Sequence, residues 1–223
     1  MSPIYVPGKV VLSRIQQYPA VLGEPWGGGY FAGYISHTAD GSPTHALIVA
    51  PRSTGATGTG YTLTTGLAWK TATTTTTDTT SDFDGAVNTA AMVTAGIANH
   101  PAAQFCTGLS IGGFTDWYLP ARYELDIAYF NLKPTTAANI GTTGINNYSV
   151  PLRTVVYTAS SPAQTYLSAF QSAGSESFSD VLHWSSTQTG ATNAWRYRFS
   201  DSAELSTTKT ILYAVRAFRR IAL

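Results

Sequence analysis

Strand-like and helix-like patterns are segregated along this 223-residue chain rather than interleaved. Two aromatic and β-branched runs, at residues 30–35 and 44–50, flank Thr38-Ala39-Asp40-Gly41-Ser42. An Asp-Gly turn between two such runs predicts a β-hairpin. Helical spacing is confined to residues 84–132. Strand patterns return at 183–187, 194–199 and 210–219. Strands, then helices, then strands predict an α+β architecture rather than alternating α/β.

Three helices are expected. The first covers 84–98, capped by Asp82 or Asp84, with Val87, Ala90, Ala91, Thr94, Ala95 and Ala98 on its buried face. The second follows Pro101, with Ala102, Phe105, Cys106 and Leu109 at helical spacing. The third starts at Pro120 or Ala121, ends near Asn131 and buries Leu125, Ala128, Tyr129 and Leu132. A proline at a helix start sacrifices no hydrogen bond, because that N–H has no partner in the helix. In the tail, Trp195, Tyr197 and Phe199 alternate inward, which leaves Arg196 and Arg198 on a solvated face. Residues 200–204 read as a turn. Ile211, Tyr213, Val215 and Ala217 share one face of the last strand.

The intervening segments are loop-like. Residues 51–82 are low in complexity, with Trp69 as a buried anchor and the threonine run 71–80 as a surface loop or edge strand. Residues 133–181 are long, polar and weakly patterned. Residues 1–25, broken by Pro3, Pro7, Pro19 and Pro25, predict an extended arm for docking or oligomerisation. Residues 26–223 then form one domain.

Charge narrows the function classes. Only 11% of residues are charged and the net charge is +1, while the chain has 33 threonines. That balance lacks the basic footprint of a nucleic-acid binder. With 43% hydrophobic residues it is also unlike a disordered chain. No apolar run reaches the ~18–20 residues of a membrane span, so no membrane insertion is expected. No signal-peptide pattern is read at the start. The single cysteine, Cys106, excludes an intrachain disulfide and a Cys-rich metal site.

Two stretches are distinctive. One is Gly112-Gly113-Phe114-Thr115-Asp116-Trp117-Tyr118-Leu119-Pro120, continuing to Glu124-Leu125. The other is His183-Trp184-Ser185-Ser186-Thr187, followed by Asn193-Ala194-Trp195 and Tyr213-Ala214-Val215-Arg216-Ala217-Phe218-Arg219. Together they resemble the family of domains of unknown function typified by the C-terminal domain of the Legionella collagen-like protein. The resemblance runs from about residue 85 to 221. It implies a C-type-lectin-like fold, similar also to the formylglycine-generating enzymes. It implies either a bacteriophage virion protein of the tail-fibre or receptor-binding type, or a bacterial surface adhesin recognising polyanionic sugars. The chain departs from the family pattern at Tyr118 (usually Arg), Ala121 (Ser or Thr), His183 (Tyr) and Phe218 (Val).

Read from the residues alone, these motifs are framework. Gly113 allows a tight turn and Asp116 can accept its N–H groups. Trp117 and Leu119 point inward, Pro120 starts a helix, and Glu124 sits in its first turn, near the positive end of the dipole. Trp184, Ser185 and Ser186 form a core strand whose hydroxyls tie down loops, and Arg216 belongs to the closing motif.

No catalytic pattern emerges. Ser185 and Ser186 lack a nucleophile elbow. His37, His45, His100 and His183 have no zinc spacing. Cys106 sits on an apolar helical face, where a thiol is inert packing. The Glu24-Pro25-Trp26 tripeptide lacks the further ligand of a lectin calcium site. No enzyme activity, cofactor or metal is therefore expected. The candidate ligand-binding residues are Asn193, Arg196, Arg198, Asp201 and Glu204, since exposed arginines and aromatics suit sugars.

The sequence thus predicts a virion surface protein, made in the host cytoplasm, that binds a host cell-surface glycan or protein and other virion proteins. A homo-oligomer is expected, with a trimer favoured. The rivals are a capsid-decoration or tail-assembly protein using the fold as scaffold, and a bacterial adhesin.

Overall fold

The computed structural model describes residues 18–57 and 66–223. The strand β1 (Pro25–Trp26) pairs antiparallel with β2 (Gly29–Ile35), and β2 pairs with β3 (His45–Val49) as the predicted hairpin. A single helical turn, α1 (Arg52–Gly55), precedes β4 (Leu67–Ala68). Three helices follow: α2 (Gly85–Thr94), α3 (Pro101–Thr107) and α4 (Arg122–Leu132). The long polar segment holds only β5 (Ser149–Val150) and a short 3-10 turn. The strands β6 (Leu182–Gln188), β7 (Asn193–Arg198) and β8 (Glu204–Thr208) form an antiparallel sheet in that order. Finally β9 (Leu212–Tyr213) pairs with β4, and β10 (Phe218–Ala222) pairs with β3.

The main sheet runs β1-β2-β3-β10, with β5 also beside β2, and curls into a half-barrel. The architecture is mixed helix and sheet with antiparallel strands, as the order of patterns predicts. Among the described residues no helix is long and apolar enough to cross a membrane.

Both faces of the main sheet are covered. Phe31, Ala46 and Ile48 face one core with Trp69, Met92, Cys106, Trp117, Leu119 and Trp184. Ala32, Ile35, Leu47, Val49 and Phe218 face a second core under α4. This explains the continuous apolar runs in β2 and β3, since a strand buried on both sides does not alternate.

The motif residues are framework, with one change of role. Gly112 and Gly113, at φ +62° and +82°, close a two-residue turn between Ile111 and Phe114, whose main chains exchange hydrogen bonds of 3.0 Å. Asp116 does not accept turn N–H groups as predicted; it pairs with Arg219. That guanidinium also lies 3.8 Å from the Phe114 ring centroid, so the arginine of β10 displaces the local turn bond. Trp117 and Leu119 enter the first core while Tyr118 enters the second.

Glu124 is fully buried and gathers donors from two helices. Its Oε2 accepts the Ala121 N–H at 2.7 Å and the Gly85 N–H at 3.2 Å; its Oε1 accepts the Tyr118 hydroxyl at 2.7 Å. Ala121 has no side chain to cap α4, and the Glu124 carboxylate compensates. Burial pushes the Glu124 carboxyl up to about 7, against the pull of these donors. Gly85 has to be glycine, because a Cβ there would collide with Glu124 Oε2 and lie 2.6 Å from Ala121 N.

Three lysines do the converse. Lys209 Nζ donates to Thr74 O (3.1 Å), Gln188 Oε1 (2.7 Å) and Ala191 O (3.0 Å). Lys70 Nζ donates to Thr74 O, Thr75 O and Thr76 Oγ1. Lys133 Nζ donates to Ala137 O, Asn139 Oδ1 and Pro162 O. All three are buried, and burial lowers their pKa values, Lys209 to about 8.

Several expectations are corrected. The threonine run is not simply surface: Thr76 and Thr79 are buried, and His100 bridges Thr76 Oγ1 and Gly96 O. Asp84 caps α2 through the Val87 N–H as predicted, but the buried face is Gly85, Asn88, Thr89 and Met92. Val87 is exposed because Asn88 and Thr89 turn inward to bond Ser81, Ser186 and Leu119. The expected strand 210–219 divides into β9 and β10, with Ile211 exposed. Of the predicted arm, residues 1–17 lie outside the described residues. Within 18–25, Pro19 O accepts the Tyr34 hydroxyl and the Gly23 N–H donates to Phe31 O.

Candidate functional site

The sheet β6-β7-β8 separates the candidate residues taken from the sequence. In register, Trp184, Arg196 and Leu205 lie opposite one another, as do His183, Tyr197 and Glu204. Arg196 and Arg198 therefore share one face and Glu204 occupies the other. Arg198 is held by Asp201 in a fork, Nε to Oδ1 at 2.8 Å and Nη2 to Oδ2 at 2.5 Å. Glu204 takes Arg122 in a second fork, Nε to Oε1 and Nη2 to Oε2 at 2.9 Å. Asn193 stands at the far end of β7, opposite Thr208. Arg196 lies over the Tyr213 ring, 5.4 Å from its centroid.

The inward alternation predicted for β7 holds at Tyr197 and Phe199 and fails at Trp195, which is half-buried. Arg122, at the start of α4, covers that indole with its guanidinium 4.1 Å from the ring. The Arg122 main-chain N–H, which α4 cannot satisfy internally, is met from outside by Thr187 Oγ1.

Trp195 ends a row of groups that no local pattern could reveal. From Trp195 and Arg122 it passes to Tyr123, whose ring centroid is 5.2 Å from the guanidinium. Tyr148 stacks on Tyr123 at 5.8 Å, and Phe83 stacks on Tyr148 at 4.1 Å and 11°. His37 meets Phe83 at 5.1 Å, and His45 meets His37 at 4.4 Å. Every member is half-buried. Five stretches that are distant in sequence supply it: the β2–β3 hairpin, the residue before the α2 cap, the approach to β5, the first turn of α4, and β7.

The cations along this row are neutralised internally. Arg122 is forked to Glu204, and Arg220 donates to Asp84 Oδ1 at 2.6 Å. Burial and the nearby Arg220 lower the His37 pKa to about 4, so the imidazole is neutral at pH 7. Among the described residues, the Tyr123 and Tyr148 hydroxyls have no hydrogen-bond partner. The row thus combines apolar ring surface with unused neutral donors and acceptors.

Other reactive groups are enclosed. His183 is buried between Phe178 and Phe199, and burial lowers its pKa to about 3. Burial pushes the Cys106 thiol up. Arg216 donates to Ala50 O and to the carboxylate and carbonyl of Glu176, with its guanidinium 4.9 Å from the Phe178 ring centroid. Ser185 Oγ donates to Trp195 O, and Ser186 Oγ accepts from Asn88. No three His, Cys, Asp or Glu side chains among the described residues are placed to hold a metal ion. Compared with known proteins, the chain matches no family model and no curated protein.

Proposed function

We propose that this chain is a non-catalytic recognition module: a bacteriophage virion surface protein with a C-type-lectin-like domain, binding a glycan on the host surface. The observation that carries the reading is the half-buried row from His45 to Trp195, with its unpartnered Tyr123 and Tyr148 hydroxyls. Sugars offer C–H faces to rings and hydroxyls to polar tips, and the row offers both. Its internally paired cations favour a neutral glycan over a polyanion. The family resemblance supports the virion setting, assembly with other virion proteins, and a homo-oligomer, a trimer by preference.

A glycan array and host-envelope binding with the purified chain test this. The expected result is binding that falls about tenfold in Tyr148→Ala and in Trp195→Ala, the scale of a lost aromatic contact. Absence of binding, or binding untouched by both substitutions, overturns it.

A further inference from the structure

The opposite face of β7 and the edge beside it make a second surface. In the sheet β6-β7-β8, the strand β8 is the outer member. The ladder is bracketed by two main-chain bonds, Arg198 N–H to Ala203 O at 2.9 Å and Lys209 N–H to Thr192 O at 3.0 Å. Main-chain groups alternate along an antiparallel ladder. Leu205 and Thr207 therefore turn theirs toward β7, while Glu204 and Ser206 turn theirs outward. Among the described residues nothing meets those outward groups. No proline and no bulge blunts β8, and the lysine that follows it, Lys209, is buried. Such an edge is a template for another strand.

The side chains beside the edge are informative. Leu205 is 54% exposed. Its register partner Arg196 is the one arginine among the described residues with neither a hydrogen bond nor an ion pair. Its Nε is buried and has no partner. A buried donor left unmet carries a desolvation penalty, and nothing among the described residues neutralises this guanidinium; its Nη groups, which are not fully buried, are what an incoming acceptor can meet. Open main chain, exposed leucine and an unpaired guanidinium therefore lie together.

Charge selects the occupant. Residues 1–17 of this chain contain Lys9 and Arg14 and no carboxylate side chain, so they do not complement Arg196. A second copy would bring its own Glu204, which already holds Arg122. We propose that β8 accepts an extended segment of another protein as an added strand, with a carboxylate of that segment on Arg196. Main-chain bonds give the pairing and the arginine gives the selection. This surface lies on the face of the sheet opposite Trp195, so it is independent of the glycan row.

The probe is a labelled peptide, Thr-Val-Thr-Asp-Thr-Val-Thr, with Lys in place of Asp as its control, titrated into the full-length chain. The acidic peptide is expected to bind at least tenfold more tightly, with the difference shrinking as salt rises. Arg196→Glu should reverse the preference. Ser206→Pro removes an outward N–H at an edge, where proline is tolerated, and should abolish binding with the circular dichroism unchanged. Equal binding of both peptides, binding of neither at millimolar concentration, or indifference to Ser206→Pro in a folded variant overturns the proposal. So does self-association of the wild-type chain that Ser206→Pro dissolves, because the occupant is then a second copy.

Discussion

At the junction of α2 and α4 a carboxylate collects N–H groups, whereas in the irregular loops three ammonium groups collect carbonyls. The signs follow from what each region leaves unsatisfied. A helix start exposes N–H groups and the positive end of its dipole, so it calls for an acceptor with negative charge. Glu124 serves two helix starts at once. A loop without a ladder is left with carbonyls aimed inward, and an ammonium offers three donors that rotate to fit. Lys70, Lys133 and Lys209 each find three oxygens and no carboxylate. In a chain with 11% charged residues, these scarce charges work inside the molecule.

The helix junction depends most on Glu124. Glu124→Ala leaves Gly85 N–H, Ala121 N–H and the Tyr118 hydroxyl without an acceptor in a closed site. The expected loss is about 3–5 kcal/mol, because each of three buried donors left unmet costs about 1–3 kcal/mol. Gly85→Ala should be comparably damaging through collision with Glu124 Oε2 and Ala121 N. Urea unfolding of the purified variants measures both. A loss below about 1 kcal/mol for either would show that the carboxylate is not central to the junction.

Two buried titratable groups shift in opposite directions. Glu124 is raised from 4.5 to about 7, so its contribution is fully present below pH 4.5 and is lost as pH rises through 7. His183 is lowered from 6.5 to about 3, so the stability that its neutral ring brings is present above 6.5 and is lost as pH falls toward 3. Each slope is about 1.4 kcal/mol per pH unit. Between pH 4.5 and 6.5 these two contributions oppose one another; below 4.5 His183 acts in the same direction as His37, whose pKa is lowered to about 4. Unfolding free energy should therefore fall more steeply below pH 4.5 than above it. His183→Phe should remove its share of the acid slope, most visibly between pH 4 and 3, and Glu124→Gln should steepen the rise up to pH 6.5. A profile unchanged by either substitution would refute these assignments.

Sequence patterns revealed the parts of this fold that are locally apolar. The hairpin of β2 and β3, the second and third helices, and the buried Trp69, Trp117 and Trp184 all follow from periodicity or aromatic runs. The buried face of α2 does not, because Asn88 and Thr89 face polar main chain on the framework rather than apolar side chains. The strand β8 was missed because Glu-Leu-Ser-Thr-Thr is polar and half-exposed. Thr76 and Thr79 are buried only because Lys70, His100 and Gln188 bring them partners. In the candidate site, Arg196 was legible as a charge on a terminal strand, and Glu204 only as a charge in the turn 200–204. The ring row was not, since His37, Phe83, Tyr148 and Trp195 meet only through tertiary packing.

The loop nodes should yield the smaller effect, and a local one. Lys209→Met keeps the stem that packs by Trp69 and removes only the ammonium, which lies 4.5 Å from that ring. Thr74 O, Ala191 O and Gln188 Oε1 lose a donor. Two of these acceptors are main-chain carbonyls of loops, which water can replace more readily than at the closed Glu124 site. The expected cost is about 1–2 kcal/mol, near the value of a few hydrogen bonds replaced by water. Amide exchange should accelerate at residues 74–79 and 189–192 while α2 and α4 keep their protection. A global loss as large as that of Glu124→Ala would place the lysine in the framework. Unchanged exchange in both loops would mean that the threonine-rich segment is ordered by its own hydroxyls, and the ammonium would be a consequence of the loop fold rather than its cause.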